Sequence, residues 1–165
     1  MRDNYLFSGS ELRVVLENYE QELLREIDSM EGNRLLNSSV EDLCDHFEDK
    51  YKIETLRLKD DQIAVEQQEV DIDVSQDPLR HILDRSRAFY IKGTQITYLI
   101  PFEGNPDLFK YRPNKFYLNS PRGTIHGNEL QISYQRTDHE ANAVKSAFQS
   151  NLSQIRQYLE WINSM

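Results

Sequence analysis

A chain of 165 residues is long enough to bury one sizeable core and too short for two comfortable ones, so a single domain spanning residues 1–165 is the expectation. With 38% hydrophobic and 28% charged residues the composition is that of a folded protein and excludes wholesale disorder. Against 28 Asp plus Glu stand 19 Lys plus Arg, and the resulting formal charge of −9 repels phosphate backbones and anionic lipid everywhere except at a local basic patch.

Ser8-Gly9-Ser10-Glu11 has the form of a capping box, and Leu12, Val15, Leu16, Tyr19, Leu23, Ile27 and Met30 follow at spacings of three and four. This predicts an amphipathic helix that stops at Gly32-Asn33, where glycine suits a helix end. Ser38-Ser39-Val40-Glu41 opens a second helix with Val40, Leu43, Cys44, Phe47 and Tyr51 on one face. Cys44 therefore reads as a small buried hydrophobe; its neighbours Glu41, Asp42, Asp45 and Glu48 oppose a thiolate.

Ile53 to Leu58 predicts a short edge strand, followed by a turn at Lys59-Asp60-Asp61-Gln62. From Val70 to Val74 the pattern has period two, which places Glu69, Asp71 and Asp73 on one side of a strand. Asp77-Pro78 predicts the start of a short helix with Leu79, Ile82 and Leu83 inward, and Arg80, Asp84 and Arg85 as a polar network on its surface. Phe89-Tyr90-Ile91 and Gln95 to Ile100, flanking Lys92-Gly93, predict a tight hairpin whose second strand ends at Pro101.

A one-turn element is expected around Leu108, Phe109 and Tyr111, then a strand at Phe116 and Leu118, turns at Ser120–Gly123 and Gly127-Asn128, and a strand through Leu130, Ile132 and Tyr134. Thr137-Asp138-His139-Glu140 resembles a third capping box before a long helix carrying Val144, Phe148, Leu152, Ile155, Leu159 and Ile162. The expected fold is α+β: an antiparallel sheet of about five or six strands packed against two N-terminal helices and the long C-terminal helix. Heptad spacing of Phe148, Leu152, Ile155, Leu159 and Ile162 allows two uses, packing on the domain's own sheet or a homodimer through the C-terminal helix. The helix runs to Met165 without a stop signal, which predicts the N-terminal module of a longer protein.

Three constellations bear on chemistry. Glu69, Asp71 and Asp73 can hold a divalent cation or share a proton if they converge, while the competing reading is a solvated strand face paired with arginines. Lys110, Arg112, Lys115 and Arg122 interleave with Tyr111, Phe116 and Tyr117, a pattern that suits an anionic partner such as nucleic acid and equally suits strand core. His46, His81, His126 and His139 lack zinc-ligand spacing, the six glycines form no phosphate loop, and no cofactor is implied. The residues assign no catalytic group. A lone cysteine, with no signal segment and no long apolar run, points to the cytoplasm and to no membrane partner.

The run Glu69 to Ser75, then Asp77, Arg80, Asp84-Arg85-Ser86, Gly93-Thr94 and Ile100-Pro101-Phe102-Glu103-Gly104 resembles the N-terminal region of a bacterial protein family. The likeness runs on through Leu108-Phe109, Pro113 and Pro121-Arg122 into the final helix. In that family a helical connector and a restriction-endonuclease-like domain of the Mrr type follow. Its nuclease motif is Asp followed by a strand-borne Glu-x-Lys; here the only Glu-x-Lys is Glu48-Asp49-Lys50 on the predicted second helix, so no nuclease residue carries over. The resemblance implies a non-catalytic regulatory, recognition or self-association module; a metal-dependent or acid–base enzyme on Glu69, Asp71 and Asp73 and a stand-alone dimerisation domain are the alternatives.

Overall fold

The computed structural model describes residues 4–138 and 140–165. It is an α+β fold in which every strand pairs antiparallel to its neighbour. The sheet is organised by β3 (Tyr90–Glu103), which pairs on one side with β1 (Arg57–Leu58) and β2 (Ala64–Asp73), and on the other with β5 (Glu129–Arg136). A short β4 (Thr124–His126) closes the β5 side. The β4–β5 turn falls where Gly127-Asn128 predicts it, with Gly127 at φ +58°, the positive value that a type II′ hairpin requires at its first central residue.

The predicted hairpin at Lys92-Gly93 does not form, because both residues lie inside β3 and pair with Asp71 and Val70. Gly93 is there for space rather than for turning. A Cβ at this position would sit 2.7 Å from the carbonyl oxygen of Arg136 and would collide with the Ile72 side chain. Nor does Pro101 end the strand. Its carbonyl accepts from the Lys59 N–H at 2.8 Å, so its missing N–H faces the same side, where the 3₁₀ turn Asp60–Gln62 separates β1 from β2 and no ladder bond is forfeited.

Alternation along β3 and β5 puts Ile96, Tyr98, Ile100 and Phe102 on one face with Leu130, Ile132 and Tyr134. Against that face lies α4 (Ala141–Asn163), whose Val144, Phe148, Leu152, Ile155, Tyr158, Leu159 and Ile162 are all buried. Phe148 stacks on Tyr98 with ring centroids 3.6 Å apart. The five residues with heptad spacing thus lie inside the protomer's own core, which corrects the expectation that they offer a dimer seam. Removing them from water contributes about 1.5–3 kcal/mol each, and exposing them for a partner would forfeit that.

Beyond the sheet the chain is irregular, and α4 holds it by side chains that mimic a neighbouring strand. The Asn151 amide donates to the carbonyl of Arg122 at 2.9 Å and accepts its N–H at 3.3 Å. Asn163 does the same for Leu56, and the Tyr158 hydroxyl accepts the N–H of Tyr117 at 2.8 Å and donates to its carbonyl. Gln154 donates to the Asn119 carbonyl. Consequently Phe116 and Leu118 are not on a strand, as their spacing suggests, but on a loop stapled to α4; Leu118 is 99% exposed.

Other local expectations fail for related reasons. Ser8–Ser10 do not cap α1 (Leu12–Asp28); they belong to an extended segment that bonds to residues 109–121, with Gly9 N–H donating to Lys110 and Arg112 N–H to Ser10. Phe7, in this segment, is fully buried at φ +54° and stacks on Tyr158 at 4.9 Å, so packing outweighs a backbone conformation rare for an aromatic residue. Gly32 begins a third N-terminal helix, α2 (Gly32–Asn37), rather than ending α1. Ser39 does cap α3 (Val40–Tyr51), its hydroxyl accepting the Asp42 N–H at 3.0 Å.

These helices do not blanket the sheet. Only Leu12 of α1 is fully buried, with Val15 and Leu16 partly so, while α2 and α3 bury no residue completely. The α1–α3 hairpin is pinned by Glu26, which accepts from Tyr51 at 2.7 Å and from Lys50; the bond to Glu26 pushes the Tyr51 phenol up to about 12. Cys44 is exposed, which corrects its assignment to a buried stripe: α3 has no core to face on that side. Among the described residues no helix is long and apolar enough to cross a membrane.

Gly93→Ala should destabilise the fold by about 1–3 kcal/mol through overpacking against Ile72 and the Arg136 carbonyl, measured as a lower urea midpoint with unchanged m-value. A change under about 0.3 kcal/mol would show that the strand pair yields freely there.

Candidate functional site

The three carboxylates of β2 lie on one side, as their alternation requires, yet they do not converge. Lys92, opposite Asp71 in the register, sits 2.9 Å from Asp71 and 3.5 Å from Glu69. Its ammonium is held above the ordinary lysine range first by the bond to Asp71. Asp73 is turned to a different task, accepting the N–H of Ser75 at 2.9 Å and of Phe89 at 3.1 Å, where it clamps the two ends of the long loop between β2 and β3. The backbone donor of Ser75, then its hydroxyl, then the Phe89 N–H hold the Asp73 carboxyl below the usual carboxylate range. Among the described residues no group of three or more His, Cys, Asp or Glu is arranged to hold a metal ion.

The polar network of Arg80, Asp84 and Arg85 is present, but on a loop instead of a helix. Arg85 donates to the carbonyls of Ser75, Asp77 and Arg80, supplying the backbone partners that helical hydrogen bonds would have provided. Asp77 accepts the N–H of Leu79 and pairs with Arg80 at 3.2 Å, while Asp84 accepts from Ser86 and makes no ion pair with Arg80. Arg80 also reaches Thr137 at 2.9 Å, tying the loop to the end of β5. Leu79 and Leu83, expected inward on a helix, are 94% and 98% exposed.

Two of the four proposed anion contacts are committed to ion pairs. Lys110 pairs with Asp107 at 2.6 Å, and Arg112 pairs with Glu11 at 2.6 Å while lying over the Phe116 ring. Arg122 donates to the Tyr5 hydroxyl at 2.6 Å and stacks on that ring. Lys115 borders a depression beside Arg13 and Trp161, whereas Arg122 borders a different concavity, so the four do not form one cationic surface.

That second concavity, a groove of about 790 Å³, follows the outer edge of β5 and has α4 as its far wall. Its polar lining is mostly amide and hydroxyl: Gln95, Gln131, Ser133 and Gln135 from the sheet, Ser150 and Gln154 from α4. The edge is open because β4 begins at Thr124, opposite Gln131, and the chain before it turns away to bond with the N-terminal segment, Gly123 N–H donating to Asn4 at 3.0 Å. A two-residue turn makes His126 and Glu129 a hydrogen-bonded pair, so Glu129 and Gln131 direct their backbone groups at β4. By the same alternation the next backbone groups on that side are those of Ser133 and Gln135, which have no strand partner among the described residues.

Sequence reasoning singles out only Arg122 of this groove. The repeated Gln131, Ser133 and Gln135 and the small polar flank of α4 are visible in the sequence, but that they border an open edge is not. No family model, curated protein or solved structure matches the chain.

Removing the acceptor with Asp73→Ala should lower stability at neutral pH. The wild-type carboxylate is depressed in the folded state, so its contribution is present above the ordinary carboxylate range and is lost as pH falls through the lowered folded value. Melting temperatures of the two proteins should therefore converge in acid; a gap that widens as pH falls would reverse the assignment.

Proposed function

We propose that this chain is a non-catalytic recognition module, the companion of a larger protein for which a nuclease of the kind implied by the resemblance is the leading candidate. The observation that carries the reading is the groove along β5. Amides and hydroxyls dominate its polar lining; such groups are strong hydrogen-bond donors and acceptors, and the described lining holds no His, Asp, Glu or Lys to activate a hydroxyl as a nucleophile. Such a lining binds and orients; it does not transfer protons. The carboxylates and most of the cations that the sequence offers for chemistry are meanwhile committed to ion pairs and loop clamps.

Ser150 is exposed on the α4 wall, away from the core stripe, so Ser150→Trp should fill the groove and leave the melting temperature within about 2 °C of the wild type. Immobilised wild-type chain should retain from an extract of its source a protein that the Ser150→Trp chain loses. Equal retention by both chains, or by neither, would refute a recognition role for this groove.

A further inference from the structure

We infer that the groove takes an extended acidic polypeptide segment, which adds to the sheet as a strand beside β5; this rests on the recognition reading and names its partner. The first support is backbone chemistry. The N–H and C=O groups of Ser133 and Gln135 point along the sheet into the groove, with no strand beside them among the described residues. An edge of this kind is a template for main-chain pairing, and natural sheets blunt it with charge, proline or a covering element. Here α4 stands beside the edge as a wall, and the groove lined by the two has a volume of about 790 Å³.

The second support is charge. Asp and Glu make up 28 of the 165 residues, about one in six, yet none is among the groove's described lining residues. The one cation among the described lining residues is Arg122, exposed, stacked on Tyr5 and paired with no carboxylate among the described residues. A guanidinium so placed retains donors for a carboxylate of the incoming strand. The chain's net charge of −9 opposes an acidic ligand at long range, but that repulsion is screened beyond about 8 Å at physiological salt, whereas contact with Arg122 is not.

A basic peptide would bring its charge to a groove with no acid among its described lining residues to receive it. Specificity would come from alternate side chains. Those on one side of the added strand meet Ala147 and Ser150 of α4, and those on the other continue the amide-rich open face of Gln131 and Gln135.

Selection of random dodecapeptides on the full chain tests this. The expected binders are rich in Asp, Glu and β-branched residues. They should lose affinity at least tenfold for Arg122→Glu, and as much for Gln135→Pro, which removes an outward N–H, whereas Gln135→Ala, which keeps that N–H and loses only the amide side chain, should cost less than Gln135→Pro. On the unaltered protein, hydrogen exchange at the Ser133 and Gln135 amides should slow when a selected peptide is added, a readout that does not depend on any variant folding. Binders lost with Ser150→Trp but indifferent to Gln135→Pro, with no slowed exchange, would overturn strand addition and leave the recognition reading standing. Enrichment of basic peptides would overturn the charge assignment. A doubled mass in light scattering that Gln135→Pro abolishes would give the edge to a second copy. No binder at all would sink both readings.

Discussion

Irregular chain is stable against a core only if its backbone polar groups find partners, and in this protein α4 supplies them. Asn151, Gln154, Tyr158 and Asn163 reach the backbones of Arg122, Asn119, Tyr117 and Leu56, segments that no strand accompanies. Each bond adds only about 1 kcal/mol net, and those to Tyr117 and Leu56, which are partly buried, also spare groups that would otherwise lose water without a partner. The same helix buries Phe148, Leu152, Ile155, Leu159 and Ile162 against β3 and β5, so one element both closes the core and fixes the path of the loops. Because the stripe is consumed within the protomer, the heptad spacing reports sheet packing.

The path imposed on residues 117–123 has a consequence at the sheet. Bonding of Leu6, Gly9 and Gly123 to their partners draws the N-terminal segment and the chain before β4 together, which keeps β4 to three residues. β5 is eight residues long, so its far half has a partner on β3 alone. The open edge and the groove beside it are thus the direct product of where α4 anchors the loop, and they lie where the α4 wall, the amide lining and Arg122 meet.

Charge follows a similar division. The acidic face of β2 is matched to Lys92 by register, Lys59 meets Glu103 at 2.7 Å, and Arg136 meets Asp138 at 2.8 Å. These exposed pairs set local conformation and solubility more than stability. What distinguishes Arg122 among the candidate cations is a ring beneath it instead of an acid beside it.

The sequence by itself determined what depends on local period and local turn chemistry. The α1, α3 and α4 helices, the buried stripe of α4, the alternation of β2 and β5, the Ser39 cap and the Gly127-Asn128 hairpin are legible because each signal lies within a few residues. Only the tertiary structure decided matters in which a residue answers to something far along the chain. Lys92-Gly93 has turn composition, but the approach of Arg136 and Ile72 makes it strand; Asp77-Pro78 has the form of a helix start, but Arg85 satisfies the carbonyls of a loop. Cys44 has a buried spacing and no core opposite it. The groove belongs to the same class. An edge is free or paired according to where another strand stops, and that length is set by contacts between residues 4–9, 109–123 and α4, which no local pattern encodes.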